Sequence, residues 1–326
     1  MTNRNKETHL RGGGDEEKLR KILIDPITQK KLAENYSFKY FDHILDLYLN
    51  DESELTNIQS NFYNDVKFPN YDSIDDFGTL LDKARKSVFA KKLDEEIPFG
   101  AKLLEAGCGT GQLSISLSRY MREIYAIDIS EGSLALAKKF IDHNQIKNVN
   151  LIKMNIFNLF FENEFFDTII SNGVLHHTHN PELAFEKLCV KLKKNGYIII
   201  GLYHKYGRMI QKFRQFLIRI FGDNFKFLDR RFRENISKEK KYAWFLDQYK
   251  NPFEKSFSLS EVLNWFKKNK IEYVSSVPFD FSADDKLFER KKIKNNTELF
   301  FSEILLAFNL RQIYEGGFFV TIGRKL

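Results

Sequence analysis

From Ala101 the chain alternates short runs of continuous apolar residues with stretches in which apolar positions recur every three to four residues. The first pattern reads as buried strands and the second as helices lying on them. Lys102–Ala106, Ile124–Ile129, Val149–Met154, Phe166–Asn172 and Gly196–Tyr203 are predicted strands. The helices between them run from about Gly111 to Arg122, from a Ser130 cap to about Asn144, and from Pro181 to Lys194. The alternation breaks after Tyr203. It resumes with a helix over Leu259–Asn269, capped by Ser258 or Ser260, and a strand over Ile271–Val277. A second break, about 280–315, holds an apolar helix around Leu299–Leu310, and Gly317–Arg324 is the last strand. Apolar strands alternating with helices imply a largely parallel sheet covered on both faces. The expected fold is α/β: a Rossmann-like, doubly wound, seven-stranded sheet with helical insertions at about 204–255 and 280–315.

Upstream the pattern is weaker. Residues 1–18, with Arg11-Gly-Gly-Gly-Asp15, read as a disordered tail. Residues 19–50 form a small N-terminal unit with a turn at Asp25-Pro26. Residues 51–100 form a helical lead-in broken at Pro69 and Pro98, with Leu80, Leu81, Ala84, Val88 and Leu93 near helical spacing. The main domain occupies 101–326.

Composition narrows the class. No run of about 18 apolar residues exists, so a membrane span is not expected. The polar first residues do not read as a signal peptide. Cys108 and Cys189 are the only cysteines, too few for a disulfide framework or a thiolate metal site. The expected compartment is the cytoplasm, and no metal is expected. The net charge is +7, but Tyr203–Lys241 alone carries twelve Lys/Arg against four acidic residues, so the excess belongs to that stretch.

The chemistry-bearing segment is Leu103-Leu-Glu-Ala-Gly-Cys-Gly-Thr-Gly111, between a strand and a helix. Glycine permits the tight turn and lets backbone amides approach a ligand. The spacing is G-x-G-x-G, whereas a dinucleotide fingerprint would need a third small residue where Gln112 stands. Asp128 lies 21 residues beyond Gly107, at the end of the next strand. A carboxylate there can accept from both ribose hydroxyls, and its bland alternative is a turn or cap aspartate.

With these segments in hand, residues 101–203 resemble the class I S-adenosylmethionine-dependent methyltransferases, in the branch that includes ubiquinone and menaquinone C-methyltransferases. The likeness rests on Glu105-Ala-Gly-Cys-Gly-Thr-Gly111, Ala126-Ile-Asp-Ile129, Phe166-Asp-Thr-Ile-Ile-Ser-Asn-Gly-Val-Leu-His-His177, Pro181-Glu-Leu-Ala-Phe and Leu192-Lys-Lys-Asn-Gly-Tyr-Ile-Ile-Ile200. The resemblance implies S-adenosylmethionine as cofactor. It assigns the methionine part to Glu105 and the loop of Gly107, Cys108, Gly109 and Gly111, and the ribose to Asp128. It packs Ile129 on the adenine, puts Asn155 and Ile156 at the adenine edge, and turns Asn172 toward cofactor and substrate. Many relatives carry an acidic residue where Asn155 stands; an amide oxygen can still meet the adenine amino group. His176 and His177 are candidates for a base or for orienting the acceptor, with packing at the strand end as the alternative. Cys108 reads as an apolar filler rather than a nucleophile.

Two further likenesses are weaker. Leu23-Ile-Asp-Pro-Ile-Thr-Gln-Lys-Lys-Leu32 resembles the start of Trm112-like zinc-ribbon segments, but has no cysteine and so implies no zinc. Tyr203-x-x-Tyr-Gly207, Trp244-Phe-Leu-Asp-Gln-Tyr249 and Gly316-Gly-Phe-Phe resemble features of one subfamily. Within the basic stretch, Gly207–Phe221 is predicted to be an amphipathic helix. It is read first as a lid with its apolar face on the sheet, then as a pocket for an anionic or lipid-like acceptor, or as a peripheral membrane contact. The leading expectation is methyl transfer to a small molecule by in-line displacement. The alternatives are a tRNA or protein methyltransferase, or a non-catalytic S-adenosylmethionine-binding protein. Nucleic acid is not favoured, because the basic residues come without a recognisable RNA-binding module.

Overall fold

The computed structural model describes residues 14–51, 53–65, 71, 74–234, 237–279, 285–292, 295–307 and 317–326. Its sheet is built from β1 (Lys39–Phe41), β2 (Ile44–Asp46), β3 (Lys102–Ala106), β4 (Glu123–Asp128), β5 (Val149–Lys153), β6 (Phe166–Asn172), β7 (Leu192–Tyr203), β8 (Ile271–Val277) and β9 (Phe318–Lys325). The spatial order is β1-β2-β5-β4-β3-β6-β7-β9-β8. From β2 across to β7 adjacent strands pair in parallel, while β1 is antiparallel to β2 and β9 is antiparallel to both β7 and β8.

Side-chain alternation explains why the sheet is covered on both faces. Leu104, Ala106, Tyr125, Ile127, Ile198, Ile200 and Leu202 enter one core, shared with helices Pro181–Lys191 and Leu259–Lys268. Their neighbours Leu103, Ile124, Ala126 and Ile199 point the other way, against helices Phe77–Arg85, Val88–Glu96 and Glu131–His143. A period of two along central strands therefore feeds two separate cores. Helix starts follow local capping chemistry. Ser130 accepts from the Ser133 amide at 3.1 Å, and Ser258, not Ser260, forms a reciprocal capping box with Glu261.

Four expectations need correction. Among the described residues the sheet has nine strands rather than seven, because the β1–β2 hairpin joins the edge of β5 through Leu45↔Ile152 and Asp46↔Lys153. The helix after the glycine loop is only Gln112–Ser116, and Tyr120 and Met121 take left-handed backbone that cannot continue it. The lead-in helix breaks at Lys86–Ser87, so Leu80 and Leu93 are buried while Val88 is exposed. The fourth concerns the tail: helix Gly14–Ile22 begins inside the stretch read as structureless, and residues 1–13 lie outside the described residues, as does Pro69. Immediately after that helix, Leu23 is fully buried in the same core as Phe161. Among the described residues, no helix is long and apolar enough to cross a membrane.

Candidate active site

Strand β3 is the switch point of the sheet: the chain leaves it toward β4 and β5, then returns to its other side as β6. In open α/β sheets such a point leaves a crevice beyond the carboxyl ends of the strands. A cavity of about 770 Å³ opens there, lined by the glycine loop, the ends of β4 and β6, and residues of helix Glu54–Asp65 and of the insertion after β7. That volume is of the size that holds small molecules.

One half of the cavity is built by the loop. Gly107 and Cys108 donate their amides to the Ile127 carbonyl at 2.8 and 3.0 Å, which ties the turn to β4. Gly107 has φ +79°, and a Cβ there would fall 2.3 Å from Val174 Cγ2, so both backbone and space require glycine. Asp128 accepts from the Gly109 amide at 2.7 Å and the Ser130 amide at 2.9 Å. It is at once a turn aspartate and a cavity carboxylate. Glu105 is buried behind the loop and accepts from both the Ser114 amide, at 2.9 Å, and the Ser114 hydroxyl. Burial pushes the Glu105 carboxyl up to about 7 and raises Asp128 above its ordinary value. The Cys108 thiol is pushed up by burial too, with the carboxylates of Asp128 and Glu105 adding to the rise, so it is no thiolate.

All ten residues expected to hold a cofactor surround this half: Glu105, Gly107, Cys108, Gly109, Asp128, Ile129, Asn155, Ile156 and Asn172 line the cavity, and Gly111 caps the adjoining helix. Asn155 is held from both sides. Its oxygen accepts from the Phe157 amide at 3.1 Å, its nitrogen reaches the Leu49 carbonyl, and only 1% of it is exposed. Its side chain is a buried strut at that end of the cavity.

The other half comes from residues that local pattern did not reveal. Helix Glu54–Asp65 supplies Thr56, Gln59 and Tyr63; the insertion after β7 supplies Arg231, Trp244, Asp247 and Gln248; β7 and β9 supply Tyr203 and Phe318. Tyr63, Tyr203, Asp247 and Gln248 are held by one polar network. The fully buried Arg208 pairs with Glu254, donates to Gln248 Oε1 at 2.7 Å and lies 3.8 Å over the Tyr203 ring. Gln248 then donates to the Tyr203 hydroxyl and to Asp247, each at 2.7 Å, and Tyr63 donates to Asp247 at 3.2 Å. The chain widens to a π-helical turn over Leu246–Lys250 where it presents Asp247 and Gln248. Arg231 stacks 4.4 Å over Trp244, whose indole donates to Asp229.

The subfamily segments prove to be one assembly. A Cβ on Gly317 would come 2.2 Å from the Gly207 carbonyl carbon, so the two backbones cross where neither position admits a side chain. That crossing sets Phe318 against Tyr203 at 5.9 Å. Gly316 lies outside the described residues.

The two candidate histidines separate. His177 lines the cavity, and its Nδ1 lies 2.8 Å from the Phe253 carbonyl, so Nδ1 carries the proton and Nε2 is left as an acceptor. His176 does not line it. His176 stacks between His177 and Tyr203, neither ring nitrogen has a partner among the described residues, and burial holds its pKa well below the ordinary histidine value. It is a packing residue.

The lid reading of the basic helix is also overturned. In helix Met209–Phe221 the inward residues are Gln211, Gln215 and Ile218, because the segment beneath offers polar partners: Gln215 donates to the Gln248 carbonyl at 2.8 Å, and the Tyr249 hydroxyl reaches Gln211. The apolar face points outward.

The family model of the methyltransferase domain matches residues 99–299, more than half the chain. An uncharacterised protein of Synechococcus is 25% identical over 57% of this chain, and the match spans 51% of its own length. A demethylmenaquinone methyltransferase of Bacillus cereus is 28% identical over 56% of this chain and 75% of its own. Among solved structures, PKMT2 from Rickettsia typhi in complex with AdoHcy is similar over 74% of this chain and 52% of its own, with 17% identity and a TM-score of 0.49. Through its methyltransferase domain, the chain belongs to the S-adenosylmethionine-dependent methyltransferases.

Proposed function

We propose that the protein transfers a methyl group from S-adenosylmethionine to a small, aromatic-ring acceptor seated against Tyr63, His177, Tyr203, Trp244 and Phe318. The observation that carries this reading is the single cavity running from the glycine loop to those rings, roofed by helix Glu54–Asp65 and the insertion after β7. A roof of this kind favours a small molecule over a folded RNA or protein. Planar acceptors gain from aromatic walls, and the Bacillus cereus relative is named for a quinone acceptor. Arg231 supplies a cation for an anionic or lipid-like acceptor.

The residues present fit the cofactor. Glu105 and Asp128 are carboxylates facing a cationic ligand, one for the methionine ammonium and one for the ribose hydroxyls. Ile129, Ile156 and Phe157 wall the adenine end, with the buried Asn155 behind them. When bound, S-adenosylmethionine supplies an activated methyl on a sulfonium, which moves in line to the acceptor. The protein then contributes alignment and exclusion of water. Where the acceptor loses a proton on attack, Nε2 of His177 takes it.

Two results test this reading. Labelled methyl incubated with extract is expected in the lipid-soluble small-molecule fraction; label confined to RNA or protein overturns the acceptor assignment. His177→Gln is expected to lower kcat by about 10²–10⁴-fold with cofactor affinity unchanged, and an unchanged kcat removes the base.

Cofactor affinity is expected to follow Glu105. Below about 7 its carboxyl is protonated and must lose that proton to meet the ammonium. Affinity therefore rises with pH, approaching tenfold per unit below 7 and levelling above it. Calorimetric titrations at successive pH values check this, and Glu105→Gln is expected to flatten the profile.

A further inference from the structure

Helix Met209–Phe221 presents an apolar face that the protein leaves uncovered. Met209, Phe213, Phe216 and Ile220 lie on one stripe at spacings of four, three and four, the repeat of a helix face meant to be buried. Yet Phe213 is 61% and Phe216 57% exposed. The opposite face is already engaged, with Gln211, Gln215 and Ile218 packed toward the Leu246–Lys250 segment. The helix has therefore docked by its polar side and kept its apolar side for something else. An isolated exposed leucine needs no explanation, but a continuous apolar stripe does.

Charge identifies the occupant. The helix contains no acidic residue; Lys212, which donates to Ser256 at 2.7 Å, and Arg219 border the stripe on one side, and Arg214 lies beyond Ile210, Leu217 and Phe221 on the other. Long basic side chains at those positions can reach anionic headgroups while the aromatic rings enter the acyl boundary. The wider stretch is basic as well, with twelve Lys/Arg against four acidic residues between Tyr203 and Lys241, of which Arg208 is buried against Glu254 and Arg231 lines the cavity. A protein partner would need a matching acidic groove, whereas an anionic bilayer supplies both requirements at once.

We infer that helix Met209–Phe221 is an interfacial anchor that seats the protein on anionic membrane surface, through its Phe213/Phe216 stripe and its Lys212/Arg219 border. The inference is independent of which acceptor is methylated. Because the inner face of the same helix holds the segment bearing Asp247 and Gln248, adsorption also fixes one wall of the cavity relative to the lipid.

Flotation of the full chain with vesicles tests it, comparing phosphatidylcholine alone with phosphatidylcholine plus phosphatidylglycerol. The wild type is expected to float with the anionic vesicles and to be released by salt. The double variant Phe213→Ser/Phe216→Ser is expected to lose affinity by roughly tenfold or more, and Lys212→Gln/Arg219→Gln to lose most of the salt dependence. Far-UV circular dichroism of each variant reports folding; both pairs are exposed, so the fold is expected to survive. Absence of flotation, or flotation unchanged in the aromatic variant, overturns the inference. So does sedimentation showing an oligomer that Phe213→Ser/Phe216→Ser dissociates, which would assign the face to a second copy of the chain. Failure of S-adenosylmethionine to bind would strike the proposed activity and leave the vesicle result standing.

Discussion

Replacing Asp128 with alanine is expected to lower the affinity for S-adenosylmethionine by about a hundredfold or more. The carboxylate closes the turn after β4 and faces the cavity beside Ile129. Hydrogen bonds to a charged group contribute about 1.5–3 kcal/mol each, so two ribose hydroxyls losing a shared carboxylate reach that range. The variant also strands the Gly109 and Ser130 amides that Asp128 now accepts, which loosens the loop and adds to the loss. Asp128→Asn keeps one acceptor oxygen without the charge and is expected to fall between the two. Calorimetric titration checks the order; equal affinities for all three proteins would mean that the ribose lies elsewhere.

The second large effect concerns stability. Arg208→Met is expected to cost about 3–5 kcal/mol, because removing one partner of a buried ion pair leaves the other charged and unmatched. Glu254 is the stranded partner, and Gln248 loses the donor at its Oε1. Denaturant unfolding measures the cost. The double variant Arg208→Met/Glu254→Leu, which removes both charges, is expected to recover most of it. If the double variant is as unstable as the single, the ion pair is not what holds the insertion to Tyr203.

What the sequence made legible was local. The G-x-G-x-G turn, Asp128 at a strand end and the Ser130 and Ser258 caps are each written within a few residues, and each stands where expected. So are the central strands, since two-sided burial makes them continuously apolar. The acceptor half was not legible, because it is assembled from distant segments: Tyr63 meets Asp247 across 184 positions. No periodicity encodes such a contact. The Trp244–Tyr249, Tyr203–Gly207 and Gly317–Phe318 segments did carry a signal, as likeness without a mechanism, and the Gly207–Gly317 crossing supplies that mechanism. Two errors share one cause. Pattern alone turns the apolar stripe of Gly207–Phe221 inward and sets His176 beside His177 as an equal candidate, because composition tells what a side chain is and not which neighbour it meets. The β1–β2 hairpin leaves no readable pattern, because three-residue strands fall below the length at which alternation can be read.

The central claim is that the cavity beyond β3 and β4 holds S-adenosylmethionine by Glu105, the glycine loop and Asp128. Titration of S-adenosylmethionine into the wild type and Asp128→Ala, side by side in one calorimeter, tests it most directly. Saturable one-to-one binding by the wild type, weakened about a hundredfold or more in the variant, is the predicted result. No binding by a folded wild type, or equal binding by both, would contradict it.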